Sequence, residues 1–289
     1  MRFAIITDTS TNLPASELRS HDVTVVPFSY FIEEQECTCA GPDEFDGKAF
    51  YDLLRQGTVV RTALINQQRY LDYFEPVLAS GQDVLFIGMS SGISGSMQVA
   101  KLAAHDLREK YPERKILVID TMTASLGEGL FLKAAVRMRD AGKTLAETAA
   151  ALLSLRPYVC SYFTVDDLMF LRRGGRCSNF TAVLGTVLGI KPLLKEDGEG
   201  HIIVYGKTRG RKKALRTVAE ELEKRFDAEH PLQYVGIAHG DCEEDAQYVA
   251  DLIHEKHPDL EIQMVVYEPV TGSHVGPGTV ALFFVGHEK

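Results

Sequence analysis

The sequence predicts an α/β protein of two lobes: an N-terminal lobe with a largely parallel sheet and helices on both faces, then a C-terminal α/β lobe with a mixed sheet. Three observations predict it. Four short, nearly continuous apolar runs alternate with amphipathic helical stretches in the first half, the pattern of strands buried on both faces. The alternation changes near Arg156-Pro157, after which a hairpin signal and clustered strands take over. A chain of 289 residues, 45% hydrophobic, is long for one domain and sufficient for two with cores of their own. The lobes are placed at residues 1–157 and 158–289.

In the first lobe the predicted strands are Phe3–Thr7, Val23–Phe28, Val84–Gly88 and Lys115–Asp120. Helical periodicity marks Phe45–Arg55, Gln67–Leu78, Gly95–Lys110, Gly127–Ala141 and Leu145–Leu155. In such sheets chemistry gathers where strand ends turn into helices. Three of these turns are polar and small: Asp8-Thr-Ser-Thr11, Ser90-Ser-Gly-Ile-Ser-Gly-Ser96 and Asp120-Thr-Met-Thr-Ala-Ser125.

The second lobe opens with a strand at Tyr158–Val165 and a short helical stretch ending in Leu171-Arg-Arg-Gly-Gly-Arg176, followed by the apolar segment Ala182–Ile190. A hairpin is read from Leu193-Leu-Lys195, a turn at Asp197-Gly198 and a return strand His201–Tyr205. Helices follow at Lys213–Phe226 and Asp245–His257, with strands at Tyr234–Ala238, Ile262–Tyr267 and Val280–Val285.

Charge and composition exclude several classes. With 31 Lys+Arg against 40 Asp+Glu the formal charge is −9, the wrong sign for a general nucleic-acid binder, so no nucleic-acid partner is expected. No apolar run reaches the roughly 18–20 residues that span a bilayer. The opening run meets Asp8 at once and reads as a strand rather than a secretory signal; the expected location is cytoplasmic. Cys37, Cys39, Cys160, Cys177 and Cys242 form no CxxC pair and read as reduced thiols, with Cys37-Thr-Cys39 at most half a metal site; no metal is expected.

Three segments carry chemistry. In Ser90–Ser96, four serines and two glycines between a buried strand and a helix put hydroxyls and unpaired N–H groups at one corner, suited to a phosphate or a carboxylate. Capping of the helix by Ser94 is the purely structural alternative. The segment is neither a P-loop nor GxSxG. His274, flanked by Gly272, Ser273, Gly276 and Gly278 in what reads as a loop, is placed to donate to an oxyanion. Arg172, Arg173 and Arg176 around two glycines reverse the protein's sign locally and read as an acidic-partner surface, or as cations at a helix end. His239, after a strand, is a weaker polar candidate. No complete catalytic set is visible.

These residues add up to a pattern that resembles the DegV family, the bacterial fatty-acid-binding proteins that include the FakB subunits of fatty acid kinase. The resemblance runs nearly end to end. It rests on Asp8-Thr-Ser-Thr-Asn-Leu-Pro14, Val25-Val-Pro27, Thr62, Ser90-Ser-Gly-Ile-Ser-Gly-Ser96, Ile119-Asp-Thr121, Asp166-Asp-Leu-Met-Phe-Leu-Arg-Arg-Gly-Gly-Arg176, Ile190-Lys-Pro-Leu193 with Asp197-Gly198, and Gly272-Ser-His-Val-Gly-Pro-Gly278. The resemblance implies one long-chain fatty acid, such as palmitate, held between the lobes, its carboxylate bound by Thr62, Ser94, Gly95 and His274. It also implies a separate ATP-using kinase subunit that makes an acyl phosphate for phospholipid metabolism, and no nucleotide site or catalysis in the carrier itself. Transient contact with a membrane surface is a further expectation. The chain departs from the family in reading Thr62-Ala-Leu-Ile65 and Gly95-Ser-Met97 where Thr-Ser-Gln-Pro and Gly-Thr-Tyr are common, which leaves acyl preference open.

Apolar character and position assign the acyl wall to Phe28, Ile93, Phe163, Leu184, Leu188 and Ile190. At about 0.8 kcal/mol per buried methylene, a chain of about 16–18 carbons gains roughly 11 kcal/mol of gross transfer free energy. Its carboxylate must then be matched by donors, since a buried unpaired charge costs several kcal/mol. Two other readings stand beside the carrier: a lipid-responsive regulatory protein using the three arginines, and a serine-dependent acyl hydrolase using Ser94 and His274. A serine-directed phosphonate separates the last from the others. A hydrolase gains the mass of the adduct at Ser94, whereas a carrier is expected to keep its intact mass.

Overall fold

A computed structural model of the chain describes residues 3–177, 189–230 and 234–289. The first half runs β1 (Ala4–Asp8), α1 (Ala15–Ser20), β2 (Val23–Val26), β3 (Ser29–Ile32), β4 (Gln35–Cys37), α2 (Gly47–Arg55), β5 (Val60–Ala63), α3 (Gln67–Ala79), β6 (Val84–Gly88), α4 (Ser96–Lys110), β7 (Ile116–Asp120), α5 (Leu126–Asp140) and α6 (Leu145–Leu155). The second half continues with β8 (Val159–Thr164), α7 (Met169–Gly174), β9 (Ile190–Glu196), β10 (Ile202–Arg209), α8 (Arg211–Arg225), β11 (Val235–His239), α9 (Glu243–His254), β12 (Ile262–Val266), α10 (Pro269–Val275) and β13 (Val280–Val285).

The predicted parallel sheet has the order β2-β1-β6-β7, and every pairing in it is parallel. Its strands are apolar on both faces because helices cover both; all five residues of β6 are buried. The second sheet has the order β10-β9-β8-β13-β11-β12, with only β11 and β12 parallel. The α/β class, with one parallel and one mixed sheet, is as the sequence predicts.

A third sheet, the antiparallel β4-β3-β5, is not predicted. The strand expected over Val23–Phe28 ends at Val26, because Pro27 has no N–H to give a ladder; the chain re-enters extended structure at Ser29. Strands of three and four residues are too short to leave a period-two signal. This small sheet matters because β5 carries Thr62, opposite Tyr30. The hairpin between β9 and β10 also differs. Its connection spans five residues, 197–201, rather than two, with Asp197 Oδ1 accepting from the N–H groups of Glu199 and His201, both at 2.9 Å.

The two sheets meet across α5. Buried residues run without a break from Leu126 to Leu132, and the helix packs on β1 and β6 on one side and on β8, β11 and β13 on the other. Along that stretch the helix has no solvent face, whereas Arg137 and Asp140 near its other end are exposed. The main core is accordingly shared by both halves, from Phe3 to Val285, while a second cluster lies between the mixed sheet and α8 and α9. At Gly236 in β11 a Cβ would lie 2.8 Å from Leu126 Cβ, so only glycine lets α5 approach this strand.

Replacing Gly236 with alanine is therefore expected to destabilise the protein by about 1–3 kcal/mol. Urea unfolding, with the denaturant slope unchanged, is the measurement that checks it.

Candidate functional site

The serine-rich turn after β6 is held by carboxylates from two neighbouring strand ends. Asp8, closing β1, accepts from Met89 N–H at 3.0 Å; Asp120, closing β7, accepts from Ser91 N–H at 3.2 Å. Ser90 N–H donates to the Thr123 carbonyl at 2.8 Å, and Ser90 Oγ donates to the Gly200 carbonyl at 2.9 Å, tying the turn to the β9–β10 hairpin of the other lobe. Burial pushes the Asp8 carboxyl up to about 6, against the pull of its hydrogen bonds to Ser10 and Met89. Two of the three polar turns singled out in the sequence thus serve the third. Ser10 also joins Asp8 to the buried Glu128 of α5, donating at 2.5 Å to the latter, so the Asp8–Thr11 turn is occupied structurally.

Residues from both halves of the chain line a cavity of about 270 Å³. Thr62, Ser94, Gly95 and His274 all line it, brought from β5, the start of α4 and α10. Thr62 Oγ1 and His274 Nε2 are hydrogen-bonded at 2.8 Å. Ser94 Oγ donates to Ser96 Oγ at 3.1 Å and accepts from Ser96 N–H at 3.2 Å, while Ser96 Oγ accepts from Ile65 N–H at 3.1 Å. The apolar candidates Phe28, Ile93 and Phe163 line the same cavity.

Other expectations are corrected. His274 sits on a seven-residue helix, not in a loop; buried Glu268 caps it, accepting from Val270 and Thr271 N–H at 2.6 and 2.7 Å. Ile190 is not part of the cavity wall: it starts β9, paired with Arg209 at the far end of that ladder. Leu184 and Leu188 lie outside the described residues. The three arginines separate. Arg172 and Arg173 are exposed, with Arg173 stacked 4.6 Å over Phe170, whereas Arg176 is half-buried and lines the cavity. His239 is a packing histidine whose Nδ1 accepts from Cys242 N–H at 3.2 Å.

Burial holds the His274 imidazole down at about 4, and the neighbouring Arg176 guanidinium adds to the effect, so the ring is neutral at pH 7. Its other face meets α7: a Cβ on Gly174 would lie 2.5 Å from His274 Nδ1. Sequence reasoning missed Arg176 as a wall residue, and Glu196 altogether. Glu196 is 3% exposed, lines the cavity from β9, and accepts from Ala124 N–H at 3.2 Å through Oε1. The signal was its phase: it lies two residues beyond buried Leu194, on the same face of the strand.

Known proteins resemble the chain over nearly its whole length. A family model for DegV, described as an uncharacterised protein family, matches residues 2–287. A DegV domain-containing protein of Clostridium perfringens is 37% identical over 288 residues, covering 100% of this chain and 99% of the relative. A solved DegV family protein from Thermus thermophilus, described as fatty acid binding, superposes with a TM-score of 0.86 at 26% identity, covering 99% of this chain and 100% of its own. A fatty acid binding DegV family protein from Streptococcus agalactiae has a TM-score of 0.85 at 26% identity, with 100% of both chains covered.

The buried carboxyl makes a prediction about pH. Burial raises Glu196 from 4.5 to about 7, so the fold favours its protonated form, and the stability this gives is lost as pH rises from about 4.5 through about 7. Glu196→Gln should gain on the parent protein by roughly 3 kcal/mol across that window, read as the difference in unfolding free energy at its two ends. His274 acts in the opposite sense. With its pKa depressed from 6.5 to about 4, the stability of its neutral form is lost as pH falls through that interval, and His274→Gln should flatten that slope.

Proposed function

The chain belongs to the DegV family, and from that premise we propose that it holds one long-chain fatty acid between its lobes and presents the carboxylate to a separate ATP-dependent kinase subunit. The observation that carries the reading is a cavity lined from both halves of the chain, its wall mostly apolar, with Thr62, Ser94 and His274 together on it. Phe28, Ile93 and Phe163 offer the acyl chain a surface to which each methylene contributes about 0.8 kcal/mol.

The carboxylate replaces partners these groups now give one another. Ser94 and Thr62 hydroxyls turn from Ser96 and His274 to donate to its oxygens, and the imidazole donates through Nε2. Gly95 and Ser96 at the start of the 15-residue α4 add main-chain N–H groups and the positive end of the helix dipole. Arg176 supplies the opposite charge from the wall. The exposed Arg172 and Arg173 sit on the same helix as Gly174, which touches His274, so a kinase docked on them lies beside the head group.

The hydrolase reading loses support from the same geometry. His274 is bonded to Thr62 rather than to Ser94, and Ser94 has another serine as its partner instead of a base. A nucleophile needs that base within hydrogen-bond reach.

Native mass spectrometry of the purified protein, followed by denaturing extraction and lipid analysis, tests the carrier. A stoichiometric fatty acid of about 16–18 carbons is expected, lost on joint Ser94→Ala and His274→Ala substitution, with each single change weakening binding about tenfold. A protein that is empty and takes up no added fatty acid sinks the proposal. Gly174→Ala should weaken binding without touching the ligand, by displacing the imidazole. Arg172→Glu with Arg173→Glu should leave lipid bound and abolish acyl phosphate formation by the kinase.

A further inference from the structure

The cavity holds a second polar group, separate from the one assigned to the carboxylate. Glu196 Oε1 is satisfied by the Ala124 N–H, and the Thr123 side chain and the Lys289 charge act on the carboxyl, but Oε2 is buried with no hydrogen-bond partner. Ser125, 1% exposed and also in the wall, stands beside the Tyr267 phenol and lowers its pKa as a hydrogen-bond neighbour. Ser161 and Tyr267 line the same cavity, and the Tyr267 phenol is raised by burial and then by the Glu196 charge. Among the described residues no hydrogen bond joins this group to Thr62, Ser94 or His274.

An orphaned buried carboxyl is costly, and native proteins rarely leave one without a reason. A plain methylene chain gives it nothing, because it neither donates nor accepts. Apolar neighbours Ile202, Phe163 and Phe283 make a second anion an equally poor occupant, since two carboxylates repel in a low dielectric. A cationic group would suit the charged form only. Burial leaves Glu196 at about 7, so both its charged and neutral forms are present at neutral pH. A hydroxyl serves both: it donates to the carboxylate or accepts from the acid, and its remaining capacity reaches a serine or tyrosine hydroxyl.

We infer that Glu196, with Ser125, Ser161 and Tyr267, forms a subsite for a hydroxyl carried on the acyl chain, and that the preferred ligand is a hydroxylated long-chain fatty acid. This rests on the carrier reading and adds the substrate class. Specificity of this kind comes from the cost of the unmet partner: a site built to pair a hydroxyl discriminates strongly against the analogue that lacks one.

The test is displacement of a fluorescent fatty acid from the lipid-stripped, full-length protein. The probes are chain-matched saturated acids: unsubstituted, or hydroxylated near the carboxylate, in mid-chain or at the terminal carbon. At least one hydroxylated acid is expected to bind about tenfold or more tighter than the unsubstituted acid. Glu196→Leu should reverse that preference, binding the unsubstituted acid more tightly than the parent does. Should the leucine variant fail to fold by circular dichroism, Glu196→Gln replaces it, with the preference reduced several-fold. Equal or weaker binding of every hydroxylated acid by the parent overturns the inference, as does a preference that survives at Glu196 unchanged. In either case the unsubstituted acid is still bound and the carrier reading stands. Failure to bind any of the acids removes both.

Discussion

Everything in this protein is arranged around one helix whose first two turns have no water-facing side. α5 packs against the parallel sheet and the mixed sheet at once, with Leu126 to Leu132 buried without interruption. A segment like that has two consequences. It makes the lobes one cooperative unit, since neither sheet can leave without exposing half of the helix. It also demands that any polar residue on the helix be met. Glu128 is fully buried, and its two oxygens accept from Thr7 at 2.8 Å and Ser10 at 2.5 Å. Burial keeps its carboxyl well above the usual range, so the protonated form is favoured and no full charge has to be stabilised there.

The candidate site depends on that frame. Asp8 lies between the Glu128 cluster and the serine turn, bonded to Ser10 on one side and to the Met89 N–H on the other. The turn is fixed from behind by Asp8 and Asp120 and from across the cleft by Gly200. Ser94, hydrogen-bonded to Ser96 at the start of its own helix, also faces the cavity. A binding site is most accurate when its donors sit on packed elements rather than free loops. Here even the histidine obeys this: a short helix capped by buried Glu268 carries His274, and Gly174 of α7 abuts its ring.

Much of the fold was legible because long, regular elements leave a period. The four strands of the parallel sheet, the longer helices that cover it and the mixed second sheet all register as alternation or amphipathicity, whereas the six-residue α1 against β2 does not. What failed was short or two-sided. The β4-β3-β5 sheet and α10 have too few residues for periodicity, and a seven-residue helix with Gly272 at its middle and Gly276 just past its end reads as a loop. At the site, Ser94 and His274 stood out by local composition, because several small and polar residues cluster around each. Thr62 has no such surroundings and came only from the family resemblance. Arg176 and Glu196 were hidden for the opposite reason. A charged residue in a sequence reads as surface, and only the strand phase of Glu196 and the turn after α7 reveal that they face inward.

The choice of groups at the proposed head-group site also suits release. Direct pairing of a carboxylate with a fully buried cation exchanges two large desolvation penalties for one strong attraction, and breaking it leaves a stranded charge. Thr62, Ser94 and a neutral His274 avoid this, because each is already hydrogen-bonded when the ligand is absent. Departure of the acid restores Thr62–His274 and Ser94–Ser96 instead of leaving orphans. Arg176 is only half-buried, and its guanidinium donates to the Gly174 carbonyl, so it too keeps a partner. Affinity then resides chiefly in the acyl chain, whose burial is non-directional, while the carboxylate is oriented by groups that close behind it. That division is what a protein must have if it is to hold a lipid firmly and still surrender its reactive end.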